Sequence, residues 1–80
     1  MKLPLNNLTP GQRGRVCTVD EKTQIGKRLI QLGLVPGTEI QCELTGPGGD
    51  PAAYRVRGTL LALRNGDARC VTVTEVCGGD

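Results

Sequence analysis

The chain has 80 residues, with 10 Lys and Arg against 8 Asp and Glu for a formal charge of +2, and a single Tyr as its only aromatic residue. A domain of this size buries only about 60% of the surface its unfolded chain exposes, so its core must be small, which argues against a deep enzyme cleft. The slight positive charge announces neither nucleic acid nor an anionic membrane, and without Phe or Trp there is almost nothing on which bases can stack.

The opening stretch MKLPLNNLTPGQ carries one Lys and no apolar run of signal-peptide length. No window approaches the roughly 18 apolar residues that span a bilayer. The expectation is a cytoplasmic chain forming one domain over residues 1–80. Gly and Pro together make up 17 of the 80 residues, above the average usage of about 12%, and such punctuation suits a small β barrel.

An extended piece is possible around Leu3 to Leu5, and the first clear strand runs from Arg15 to Val19. The one convincing helix follows, from Lys22 or Thr23 to Leu32, where Ile25, Leu29 and Leu32 recur at helical spacing while Lys27, Arg28 and Gln31 fall on other faces. Gly26 weakens this helix by roughly 1 kcal/mol relative to Ala, so its stability must come from docking on the sheet.

QLGLVPGTEI, residues 31–40, predicts how that helix ends. Gly33 suits the left-handed position just past the last turn, and Leu34 is placed to fold back over Leu29, as in a Schellman stop. Pro36 and Gly37 supply the two central residues of a type II turn. The sharp stop then fixes the helix at a set angle across the barrel, so that its outer face and the following turn form a ridge. Lys27, Arg28, Gln31, Leu34 and Val35 are the candidate partner-binding residues on it, although Leu34 and Val35 read equally well as caps of the core.

TEIQCEL alternates polar and apolar residues and places a strand from Glu39 to Leu44. TGPGGDP, residues 45–51, is glycine-rich, but no Lys-Ser or Lys-Thr pair follows it, so it reads as a hairpin loop and not a phosphate cradle. Strands follow at Ala53 to Arg57, Thr59 to Leu63 and Cys70 to Glu75. LTPGQ and LVPGT resemble one another and are read as independent turns, because the residues after them diverge and two units build no solenoid.

Cys17, Cys42, Cys70 and Cys77 are spaced by 25, 28 and 7 residues and the chain contains no His. Structural zinc sites bring their ligands in close pairs, so no metal site is expected. Cys42 is in phase with Ile40 and Leu44 and reads as a small core residue. Free thiols are the default in a cytoplasmic chain, with a disulfide of Cys70 or Cys77 conceivable on oxidation. No catalytic residues are assigned: there is no His to serve as a base near neutral pH, and no Ser or Cys has an evident activating partner. No cofactor site is expected either.

LTPGQRGRV, then IGKRLIQLGLVPGTEI, then DPAAYRVRGTLLALRNGDARCVTV resemble the FeoA family of bacterial ferrous iron transport, in an order and spacing that cover nearly the whole chain. One departure is that many relatives carry Met where Leu32 stands, a volume-conserving change. The resemblance implies a mainly β fold, an SH3-like barrel of about five strands with one inserted helix at about residues 22–32. It also implies a non-enzymatic protein-binding module whose partner is the ferrous iron transporter FeoB, through that protein's cytoplasmic G-domain region. In related chains the same domain is appended to metal-dependent repressors. Two other readings stay open: a metallochaperone that itself carries ferrous iron, and a small nucleic-acid-binding barrel. The working expectation is a monomer without membrane insertion.

Overall fold

The computed structural model describes residues 1–76. Six strands alternate with two helices: β1 (Lys2–Pro4), β2 (Arg13–Val19), α1 (Gln24–Gln31), β3 (Glu39–Thr45), β4 (Ala52–Val56), β5 (Thr59–Leu63), the single-turn α2 (Asn65–Ala68) and β6 (Val71–Val76). They form one antiparallel sheet in the order β1-β6-β2-β3-β4-β5, curled so that one face encloses the core. Every strand expected from the sequence is present, and β1 is the sixth. The short helix α2 and a 3-10 turn at Leu5–Asn7 were not anticipated, because four and three residues are too few to show a period.

The core is built from alternate strand residues. Val16, Ile40, Cys42, Tyr54, Val56, Val71 and Val73 are all at most 2% exposed, and Leu29 and Leu34 enter from the helix side. β-Branched residues supply much of this surface, as a half-buried pleated sheet favours. Cys42 is the small core residue its phase predicted. Leu44, two residues on, is 56% exposed, because the β3–β4 register shifts between Cys42 and Leu44 and the bulge turns the strand's alternation over.

The two Pro-Gly segments are not independent. In Thr9–Gln12 and Val35–Thr38 the fourth N–H donates to the first carbonyl, at 2.9 and 3.0 Å, and both glycines have φ near +90°. Each turn then meets the other's strand in the same way. Gly11 N–H donates to the Cys42 carbonyl and Cys42 N–H to the Gln12 carbonyl, while Gly37 N–H donates to the Val16 carbonyl and Val16 N–H to the Thr38 carbonyl. Two glycine-first bulges thus bracket the short β2–β3 pairing of Arg13–Arg15 with Glu39–Gln41. The likeness of LTPGQ and LVPGT encodes this local two-fold arrangement.

Candidate functional site

Helix α1 is held at both ends by bonds its own sequence supplies. Thr23 is the N-cap: its Oγ1 accepts from Gly26 N–H at 3.0 Å and donates to the Asp20 carbonyl at 3.2 Å. At the other end Leu34 N–H donates to the Leu29 carbonyl and Gly33 N–H to the Ile30 carbonyl, both at 3.0 Å, with Gly33 at φ +109°. Those two bonds define a Schellman stop. Thr38 Oγ1 donates to the Gly33 carbonyl at 2.9 Å and ties the stop to the start of β3.

This geometry sorts the predicted ridge. Lys27, Arg28 and Gln31 are exposed on α1, and Val35 is half-buried beyond its end. Leu34 is corrected: it is 0% exposed and cannot present its side chain to a partner. The Schellman contact carries it onto Leu29 in the core. Leu32, expected in the core from its spacing with Ile25 and Leu29, is 47% exposed at the rim. It is the C-cap residue, so the helical period stops there and Leu34 occupies the interior instead.

A groove runs along each flank of α1. One, of about 290 Å³, lies between Ile25, Arg28 and Leu32 of the helix and Leu61 and Ala62 of β5. The other, of about 280 Å³, lies between Ile30, Val35 and Pro36 on one side and Cys17 to Val19 of β2 on the other. Sequence reasoning missed Ile30, Leu32, Pro36 and Leu60 as exposed or groove-lining apolar residues. Their signal was faint, since apolar residues at a helix end or on an outer sheet face look like core residues until the neighbouring elements are placed.

Arg57 was also missed. With Gly58 it makes the two-residue β4–β5 turn, at φ +52° and +82°, and its Cδ lies 3.1 Å from where a Cβ on Gly33 would stand. The turn therefore brings a cation to the C-terminal end of α1, where the helix dipole favours it. Among the described residues the only ion pair is Arg55 Nε to Glu43 Oε2 at 2.9 Å, so Lys27, Arg28 and Arg57 face solvent without a carboxylate partner.

Two titratable side chains lie in the core, Tyr54 and Cys42. Burial pushes the Tyr54 phenol up to about 12, helped by Cys42 and Asp50, and burial with the neighbouring Glu43 raises the Cys42 thiol. Both stay protonated at neutral pH, and neither reaches solvent. Cys17 Sγ lies 2.8 Å from Thr74 Oγ1 and Cys70 Sγ 3.6 Å from Thr23 Oγ1, with both thiols free. Cys77 lies outside the described residues. Among the described residues no three His, Cys, Asp or Glu side chains converge as a metal site would require, and no helix is long and apolar enough to cross a membrane.

A curled antiparallel sheet of six short strands, with one capped helix inserted after the second, defines the class: a small SH3-like barrel. The FeoA domain model matches residues 3–75, and the chain belongs to the FeoA family, accessory factors of ferrous iron transport. A FeoA-like protein of Clostridium acetobutylicum superposes with a TM-score of 0.88 at 29% identity, over 99% of this chain and 92% of that one. The Chlorobium tepidum FeoA protein gives 0.85 at 32% identity, over 98% and 74%. The Stenotrophomonas maltophilia FeoA gives 0.82 at 33% identity, over 89% and 88%. That protein is described as an SH3 domain protein complexed with zinc and possibly a ferrous iron transport activating factor. No match was found among curated protein sequences.

Proposed function

We propose that this chain is a cytoplasmic protein-binding accessory of ferrous iron transport, acting on the G-domain region of a FeoB-type transporter. The match of the FeoA domain over residues 3–75 carries the proposal. The helix geometry supports it: α1 is pinned at both ends and presents Lys27, Arg28, Gln31 and, at its foot, Val35 as a surface of fixed shape. A barrel of this size offers an interface below about 1,200 Å², the range of transient encounters, so the expected affinity is micromolar.

Titrating isotope-labelled protein with the transporter's soluble domain tests this. Amide shifts should cluster on residues 27–35 and vanish in a folded Arg28→Glu variant; absence of shifts in every nucleotide state of the transporter domain overturns the proposal. The chain itself should hydrolyse no nucleotide.

The zinc complex of the Stenotrophomonas relative raises the metallochaperone reading. The donor set here does not fit it. The chain has no His, and among the described residues no three Cys, Asp or Glu side chains come together. Unfolding in chelator should match unfolding without it; a lower midpoint would restore the metal reading, because a bound metal contributes directly to folding free energy.

A further inference from the structure

Strand β5 ends the sheet order and pairs only with β4. The β4–β5 hairpin has a two-residue turn with positive φ at both positions, so Val56 and Thr59 form the closing hydrogen-bonded pair. Antiparallel pairing alternates from there. Thr59, Leu61 and Leu63 bond to β4, whereas the N–H and C=O of Leu60 and Ala62 point away from it. Among the described residues no turn or loop backbone bond reaches them.

The edge is also undefended. TLLAL contains no charge, proline or bulge, the devices that usually blunt a free strand. Alongside it runs the groove of about 290 Å³ walled by Ile25 of α1 and by Leu32 at its C-cap, with Leu32 half exposed. An edge strand facing a helix across an apolar groove is a receptor for an added strand, which gains main-chain bonds from the edge and side-chain contacts from the helix.

We propose that this groove binds an extended segment of a partner protein, added antiparallel to β5, with apolar residues at alternate positions and carboxylates at its C-terminal end. Charge selects that occupant. Arg28 stands in the groove wall and Arg57 at the start of β5, both without a carboxylate partner among the described residues, while the opposite end carries Arg64 together with Asp67, so the net positive charge lies toward Arg57. An antiparallel segment brings its C-terminal end to Arg57. A second copy of this chain would instead place Arg57 and Arg64 of both strands around one short ladder, where like charges repel. The inference rests on the binding-module reading but not on which protein supplies the segment.

The probe is a blocked eight-residue peptide alternating Val with Thr and ending in two Glu, titrated into the whole labelled protein. We expect shifts on residues 59–63 and 25–32, and new hydrogen-exchange protection at Leu60 and Ala62 but not at Thr59, Leu61 or Leu63. Ala62→Pro removes an outward N–H and leaves the β4 ladder intact, as proline on an edge strand does. It should retain the fold and weaken the peptide at least tenfold. Replacing the two Glu by Lys should weaken it several-fold, more so at low salt. Equal binding by the folded Ala62→Pro variant, no shifts on β5, or concentration-dependent self-association through β5 overturns the proposal. Ala62→Pro tested against the transporter domain separates the two readings. Transporter binding through residues 27–35 with no peptide binding leaves only the function, and the reverse leaves only the groove.

Discussion

Gly26 in the first turn of α1 and Gly33 just past its end stand seven residues apart and are glycine for opposite reasons. Gly26 is buried in the first turn, where an added Cβ would overlap the Asp20 carbonyl oxygen and lie 2.9 Å from Thr23 Oγ1. Its backbone is ordinary helix, and what it lacks is room. Gly33 has room, since an added Cβ would meet only the flexible Arg57 stem at 3.1 Å, but its φ of +109° is one that side-chain-bearing residues rarely adopt. Helix propensity alone assigns Gly26 a cost of roughly 1 kcal/mol. The structure reverses the sign of that argument: glycine lets the loop before the helix lie against its first turn, and full burial of Leu29, worth roughly 2 kcal/mol, outweighs the propensity cost.

The sharpest way to break this comparison is Gly26→Ala. Propensity predicts stabilisation by about 1 kcal/mol, whereas overlap with a backbone carbonyl predicts destabilisation by about 3 kcal/mol. Urea unfolding decides between them, and a raised midpoint would show that the Asp20 loop moves aside freely.

Raising the pH acts on the barrel beneath both ends and serves as a control. The Tyr54 phenol is raised from 10.0 to about 12. The folded state then keeps a proton that the unfolded chain releases, so this stability is complete below pH about 10 and is lost as pH rises toward 12. At 1.36 kcal/mol per unit the loss is roughly 2 to 3 kcal/mol, with buried Cys42 adding in the same direction. Tyr54→Phe should flatten the slope above pH 10. An alkaline slope unchanged by that substitution would assign it elsewhere.

Gly33→Val should destabilise by about 2 kcal/mol, because a β-branched residue is poorly tolerated at positive φ. Gly33→Ala should cost less and Gly33→Asn least, an order that tests conformation where Gly26 tests space. An unchanged midpoint in Gly33→Val would remove the Schellman assignment. The smallest effect is expected from Thr23→Ala, which removes the cap on Gly26 N–H and should cost about 1 kcal/mol. If the loss appears as faster amide exchange in residues 24–27 and not in 30–33, the two ends are separately secured.

Much of the fold was legible in the residues. Gly33 and Leu34 announced the Schellman stop, Pro36 and Gly37 the type II turn, and strict alternation in TEIQC placed Ile40 and Cys42 inside. Each is a short-range rule, in which a backbone angle or a period of two is fixed by residues that touch along the chain. Leu32 and Leu44 were misplaced because each sits where a period breaks, one at a helix cap and the other beyond a bulge. Likewise Leu34 could be assigned to core or ridge only once the stop was seen to fold it onto Leu29.

By itself, then, the sequence determined the strands, the one long helix and its abrupt end, and the family to which the chain belongs, since caps, turns and alternation are local preferences written in adjacent residues. Tertiary structure alone decided that Gly26 is tight against Asp20, that Arg57 comes to Gly33 from another hairpin, that the two Pro-Gly turns bracket one strand pair, and that β5 is left as an edge beside α1. Those facts join residues from 6 to more than 35 positions apart. No local preference encodes such approaches, because they are set by how the sheet curls to bury one shared core.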